Sequence, residues 1–157
     1  MKFNLLKNYT GFYHNFIKYW LPVILWMVAI FGMSTDAFSS EHTSRFIVPL
    51  LNFLFPGLLP HDVDLVHELI RKASHVSEYI VLGLLLFRAF RRDSSEGWRM
   101  QWAIYAVIGV IIYAAGDEFH QSFVATRSAS LMDVVIDSIG GVLSQIVIMF
   151  WHFLWKK

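Results

Sequence analysis

GDEFHQSFVATRSASLMDVVIDSIGG, residues Gly116–Gly141, crowds Asp117, Glu118, His120, Gln121, Arg127, Asp133 and Asp137 between two of the most apolar stretches of the chain. Read outward from it, residues 100–121 and 131–155 each approach the roughly 20 mostly apolar residues that cross a bilayer as a helix. Two further runs of that kind lie upstream, at residues 16–34 and 73–90. The chain is 56% hydrophobic and only 16% charged, where a soluble domain carries about 25% charged residues. The expectation is an all-α membrane protein. Residues 1–157 form a single domain, a bundle of four transmembrane helices with no room for a separate soluble one. With no cysteine, disulfides and thiolate metal sites are excluded.

Charge placement sets the expected orientation. Lys2, Lys7 and Lys18 precede the first span, Arg88, Arg91, Arg92 and Arg99 flank the loop after the second, and Lys156 and Lys157 close the chain. With four spans these regions share one side, which the positive-inside rule makes cytoplasmic. Arg45, Arg71 and Lys72 dissent from the other side. Both termini are expected inside. Gly32 and Ser34 mimic a signal cleavage site, but the apolar core before them exceeds the roughly 7–15 residues of a signal peptide, so the first span is read as uncleaved.

The basic, aromatic residues 1–15 read as an interfacial segment. Between the first two spans, Phe46–Pro60 is apolar but too short to cross, and Pro49, Pro56, Gly57 and Pro60 interrupt it. It is expected to be an outer-face amphipathic segment or a re-entrant piece, and the surface-lying reading is preferred. Asp62 reads as an N-cap for a helix that starts outside the bilayer and runs unbroken into the second span.

This topology gathers the polar residues at one level. Lys72, His75, Glu78 and Tyr79 fall at the outer end of the second span, Asp117, Glu118 and Gln121 at that of the third, and Asp133 and Asp137 at the start of the fourth. Arg127 lies in the connection between the last two, and Ser34 and Asp36 close the first. Residues three or four apart share a helix face, so His75 with Glu78 and Tyr79, Asp117 with Gln121, and Asp133 with Asp137 each point one way. Gly140 and Ser144 continue the last face as a small-xxx-small pair that admits a close helix neighbour. An acid near a span centre costs about 2.5–3.5 kcal/mol on insertion scales. The acids here outnumber local cations, so some are protonated or a cation is bound. His120 reads as interfacial, and His14, His42, His61, His67 and His152 show no ligand spacing.

Two blocks resemble the VanZ-like family, named after an accessory protein of teicoplanin resistance. KASHVSEYIVLGLLL (Lys72–Leu86) fits K-x-x-H-x-x-x-Y-x-x-L-G through Lys72, His75, Tyr79, Leu82 and Gly83. The Gly116–Gly141 stretch fits D-E-x-x-Q-x-F…R-x-x-x-x-x-D-x-x-x-[ND]-x-x-G through Asp117, Glu118, Gln121, Phe123, Arg127, Asp133, Asp137 and Gly140, and Ser34 also fits. Asp137 stands where many members have Asn. The resemblance implies a multi-span protein of the bacterial cytoplasmic membrane, linked in some members to glycopeptide and lipoglycopeptide resistance, and supplies no reaction.

The expected function is a polar site facing outward that binds or modifies a cell-envelope amphiphile. Its partners are the lipid bilayer and the head group of a membrane lipid or cell-wall precursor, not nucleic acid. In an enzyme, Glu118 or Asp117 serves as general acid or base. His75 shuttles or orients the proton, while Arg127 and Lys72 clamp a phosphate or carboxylate. Glu78, Tyr79, Gln121 and Ser34 complete the substrate contacts. Asp133 and Asp137 tune the acid or hold a divalent cation, for which hard oxygen ligands suit Mg²⁺, Ca²⁺ or Mn²⁺. No recognised metal motif is present, and the cofactor stays open. The alternatives are a non-catalytic binding or shielding protein, an ion-coupled transporter and a structural scaffold. The apolar inner halves of the spans argue against a transporter.

Overall fold

The computed structural model describes residues 13–35, 40–124 and 129–155, and every element among them is helical. Five helices follow in order: α1 (Tyr13–Met33), α2 (Ser40–Leu54), α3 (Pro60–Arg91), α4 (Met100–Gln121) and α5 (Leu131–Leu154). All but α2 are long and apolar enough to cross a membrane. The interfacial reading of residues 1–12 and the placements of Asp36 and Arg127 lie outside the described residues.

Helix α3 is the hub. Its most extensive face meets α5, α4 packs against both, and α1 and α2 each rest mainly on α3. At about 1.5 Å per residue its 32 residues run to about 48 Å, well beyond a hydrocarbon core of about 30 Å. The expected unbroken helix is therefore present, with its polar first turns extending past the apolar part. Its start differs in detail: Pro60 occupies the first turn, where its missing N–H costs nothing, so Leu59 takes the N-cap position and Asp62 falls inside the first turn. There the carboxylate acts on the helix dipole rather than as a cap.

Small residues set how closely α3 and α5 approach. A Cβ built on Gly140 would stand 2.6 Å from the Val76 carbonyl oxygen, and one on Gly83 would stand 2.1 Å from Ser144 Oγ. Below these contacts, the Gln145 amide donates to the Gly83 carbonyl at 3.2 Å and to Ser144 Oγ at 2.7 Å. The remaining core is apolar, with Tyr79, Leu82, Val110, Ala106 and Ile30 fully buried.

Helix α1 begins with a π-helical stretch, Phe16–Trp20. Pro22 follows it and has no N–H to return to the Lys18 carbonyl. That carbonyl instead accepts from the Arg88 guanidinium of α3 at 3.1 Å. Beside this link, Asp93 accepts from Lys18 Nζ at 2.6 Å and from the buried Tyr19 hydroxyl. The lysine, then the tyrosine, holds the Asp93 carboxyl below its usual range. A carboxylate depressed in the folded state stabilises above its unfolded pKa, and that contribution is lost as pH falls through the lower folded value. Asp93→Asn is therefore expected to unfold slightly earlier than the parent at neutral pH, a difference that fades as pH falls below the ordinary carboxylate range. Thermal melts of both proteins across that range check this.

Helix α2 is amphipathic. Phe46, Leu50 and Phe53, at i, i+4 and i+7, are exposed along one stripe, while Leu51 is buried. Thr43 ties it to the first third of α3 through His67, with 3.1 Å between Oγ1 and Nε2.

Candidate functional site

One end of the bundle carries the polar residues. Asp117, in the last turns of α4, is 4% exposed. Its Oδ2 accepts from Ser34 Oγ at 2.6 Å, from Gln121 Nε2 at 3.0 Å and more loosely from the Tyr79 hydroxyl at 3.4 Å. One carboxylate oxygen thus joins α1, α3 and α4. Ser34 and Tyr79 are fully buried and Gln121 nearly so. The Asp117–Gln121 pairing is the i, i+4 face read from spacing. Asp117 Oδ1 is buried and has no hydrogen-bond partner among the described residues.

A second carboxylate sits on α5. Asp137 is 2% exposed, and its Oδ1 stands 3.9 Å from His75 Nδ1 on α3. Asp133 lies one turn nearer the helix start and is half-buried. Ser130 is the N-cap of α5, its hydroxyl accepting from the Met132 amide at 3.1 Å. The Ser130 amide itself donates to the Glu118 carboxylate. Glu118, buried like Asp117, therefore fixes the start of α5 while Asp117 faces the helix junction.

The remaining sequence-derived residues divide. His75 and Glu78 line a cavity of about 220 Å³ where α2 meets α3, together with Thr43, His67, Arg71 and Ser74. Lys72 is drawn to the rim, 3.7 Å from Glu68 and 44% exposed. The structure brings it to no carboxylate of the buried set. Arg127, the other half of the expected clamp, lies outside the described residues. Among the described residues no three His, Cys, Asp or Glu side chains come together in a group able to hold a metal.

Sequence reasoning passed over His67, which is 6% exposed. Its signal was present: residues 67, 71, 74, 75 and 78 repeat at helical spacing and form one polar face. Arg71 on that face is held by Glu68 through two hydrogen bonds of 3.0 and 3.1 Å.

Four spanning helices with carboxylates buried at one end of their bundle define a multi-pass α-helical membrane protein with a built polar layer. A burial of this kind is expensive in a bilayer. The VanZ/LLP1 family model matches residues 19–152, and the chain belongs to that family, which is associated with glycopeptide resistance. No curated protein and no solved structure matches the chain.

Proposed function

We propose that the polar layer faces the outer leaflet and receives the head group of a cell-envelope amphiphile, which it binds or chemically modifies. The observation that carries this reading is the Asp117 carboxylate: buried, held on one oxygen by three side chains from three helices, and on the other without a partner among the described residues. Beside it, His75 and Glu78 extend the polar layer to the cavity beneath α2, large enough for a phosphate or part of a sugar. With both termini inside, that cavity opens to the outer surface and the stripe Phe46, Leu50, Phe53 of α2 rests on the lipid.

In the catalytic form of this reading, Asp117 is the acid or base that touches the substrate, and His75 carries the proton onward toward Asp137. Glu118 acts beside them by holding the start of α5. The test compares envelope lipids and cell-wall precursors from cells expressing the parent or Asp117→Asn, by mass spectrometry. Asn keeps an oxygen to accept from Ser34 and Gln121 but cannot exchange a proton. A lipid or precursor species dependent on the parent should fall at least about a hundredfold in the variant, the lower range for loss of a general acid or base. Matched profiles at equal membrane levels would overturn chemistry at this site and leave recognition without turnover.

A further inference from the structure

Helices α1 and α4 share no extensive face. Between them runs an apolar groove of about 320 Å³, lined by Met27, Phe31, Ile112, Tyr113 and Gly116 and closed at its polar end by Asp117. The space beside Gly116 is open. A Cβ on Gly116 would meet nothing within 4 Å. Phe31 on one rim and Ile112 on the other are 46% and 68% exposed, and both belong to spanning segments. The groove therefore opens sideways, toward lipid. The Tyr113 hydroxyl, donating to the Met27 carbonyl at 2.5 Å, bridges the two helices along it. The cavity beneath α2 involves α1 through Met33 instead, so the two spaces reach the polar layer from different sides.

The chemistry at the closed end selects the occupant. Asp117 Oδ2 is occupied by Ser34, Gln121 and Tyr79, while its Oδ1 is buried without a partner among the described residues, and Asp117 is the polar residue of the groove lining. A buried oxygen without a donor is costly, and a ligand that supplies one recovers that cost. Asp137 and Glu118 at the same end disfavour an anion. We infer that this groove binds the apolar chain of a membrane amphiphile taken laterally from the bilayer, with a hydroxyl or ammonium next to that chain donating to Asp117 Oδ1. The inference rests on the proposed role of Asp117 and deepens it, giving the chain's seat and the class of group presented to the carboxylate.

The experiment uses the full chain in lipid nanodiscs with two probes, a long-chain alcohol bearing a diazirine in its tail and the methyl ether of the same compound. After illumination, labelled peptides are mapped by mass spectrometry. The alcohol should label Met27–Phe31 and Gly109–Gly116 about tenfold more than the ether, the discrimination expected of one hydrogen bond to a buried acceptor. Gly116→Leu, which places a side chain in space empty in the parent, should cut alcohol labelling about tenfold with an unchanged melting temperature. Gly116→Ala should label like the parent. Equal labelling by alcohol and ether would overturn the inference as ordinary lipid contact, and so would labelling that ignores Gly116→Leu. Labelling confined to residues 67–78, with the Asp117-dependent lipid species intact, would overturn the groove and leave the proposed function standing. Groove labelling as expected, with lipid profiles unaffected by Asp117→Asn, would do the reverse for turnover.

Discussion

Gly140→Ala is expected to destabilise the bundle by about 2 kcal/mol or more, and no neighbouring side-chain change should rescue it. The added methyl would stand 2.6 Å from the Val76 carbonyl oxygen, 3.0 Å from Tyr79 Cβ and 3.2 Å from the Ile80 amide nitrogen. Two of those atoms are backbone in the middle of α3, and relieving the clash means moving the helix. Gly83→Ala makes the contrast. Its methyl would meet Ser144 Oγ at 2.1 Å and Ser144 Cβ at 2.9 Å, atoms that Ser144→Gly removes. The pair Gly83→Ala with Ser144→Gly should recover most of the loss, less the hydrogen bond that Ser144 accepts from Gln145. Unfolding in mixed micelles with a denaturing detergent, followed by tryptophan fluorescence, measures all these variants. A parent-like midpoint for Gly140→Ala would mean that α3 and α5 do not approach to this distance.

Asp117→Leu should cost about 3 kcal/mol or more, because it leaves the donors of Ser34, Gln121 and Tyr79 without their acceptor in a buried place, at about 1–3 kcal/mol for each such group. Three helices lose their common point in one substitution. Asp117→Asn keeps the oxygen that accepts the two shorter bonds, and about 1 kcal/mol or less should separate it from the parent. The two variants thus divide folding from function: Leu loses both and Asn only the second. The same micelle titration decides it. A Leu variant as stable as the parent would show that water reaches these donors and that the layer is not dry.

The spans were legible because apolar runs of sufficient length are themselves the signal, and the unbroken α3 followed from its uninterrupted helical spacing after Pro60. The shared face of Asp117 and Gln121 was legible from their spacing of four residues. What spacing does not give is the division of labour between Asp117 and Glu118. Adjacent residues on a helix point about 100° apart, and which of them meets the junction and which the start of α5 depends on how α4 is rotated against its neighbours. Lys72 misled because its motif match outweighed a nearer partner, Glu68 at i−4. The polar face that carries His67 was legible from its spacing, but its partner, Thr43, belongs to α2, and periodicity within α3 does not say which separate helix will cover that face. The Asp62 reading neglected that Pro60, at the helix start, pushes the cap position back to Leu59.

Helix α1 is fastened at both tips. Lys18 and Tyr19 grip Asp93 and Arg88 holds the Lys18 carbonyl at one, while Ser34 grips Asp117 at the other. Between the fastenings it meets α4 through the Tyr113 bridge and the ring contact of Phe31 with His120 at 4.3 Å, and α3 through Trp26, whose indole donates to the Glu78 carbonyl at 2.9 Å. Any widening of the α1–α4 seam would have to part the Tyr113 hydroxyl from the Met27 carbonyl and Phe31 from His120, and neither fastening. The polar end would keep its geometry throughout, ready before the visitor arrives.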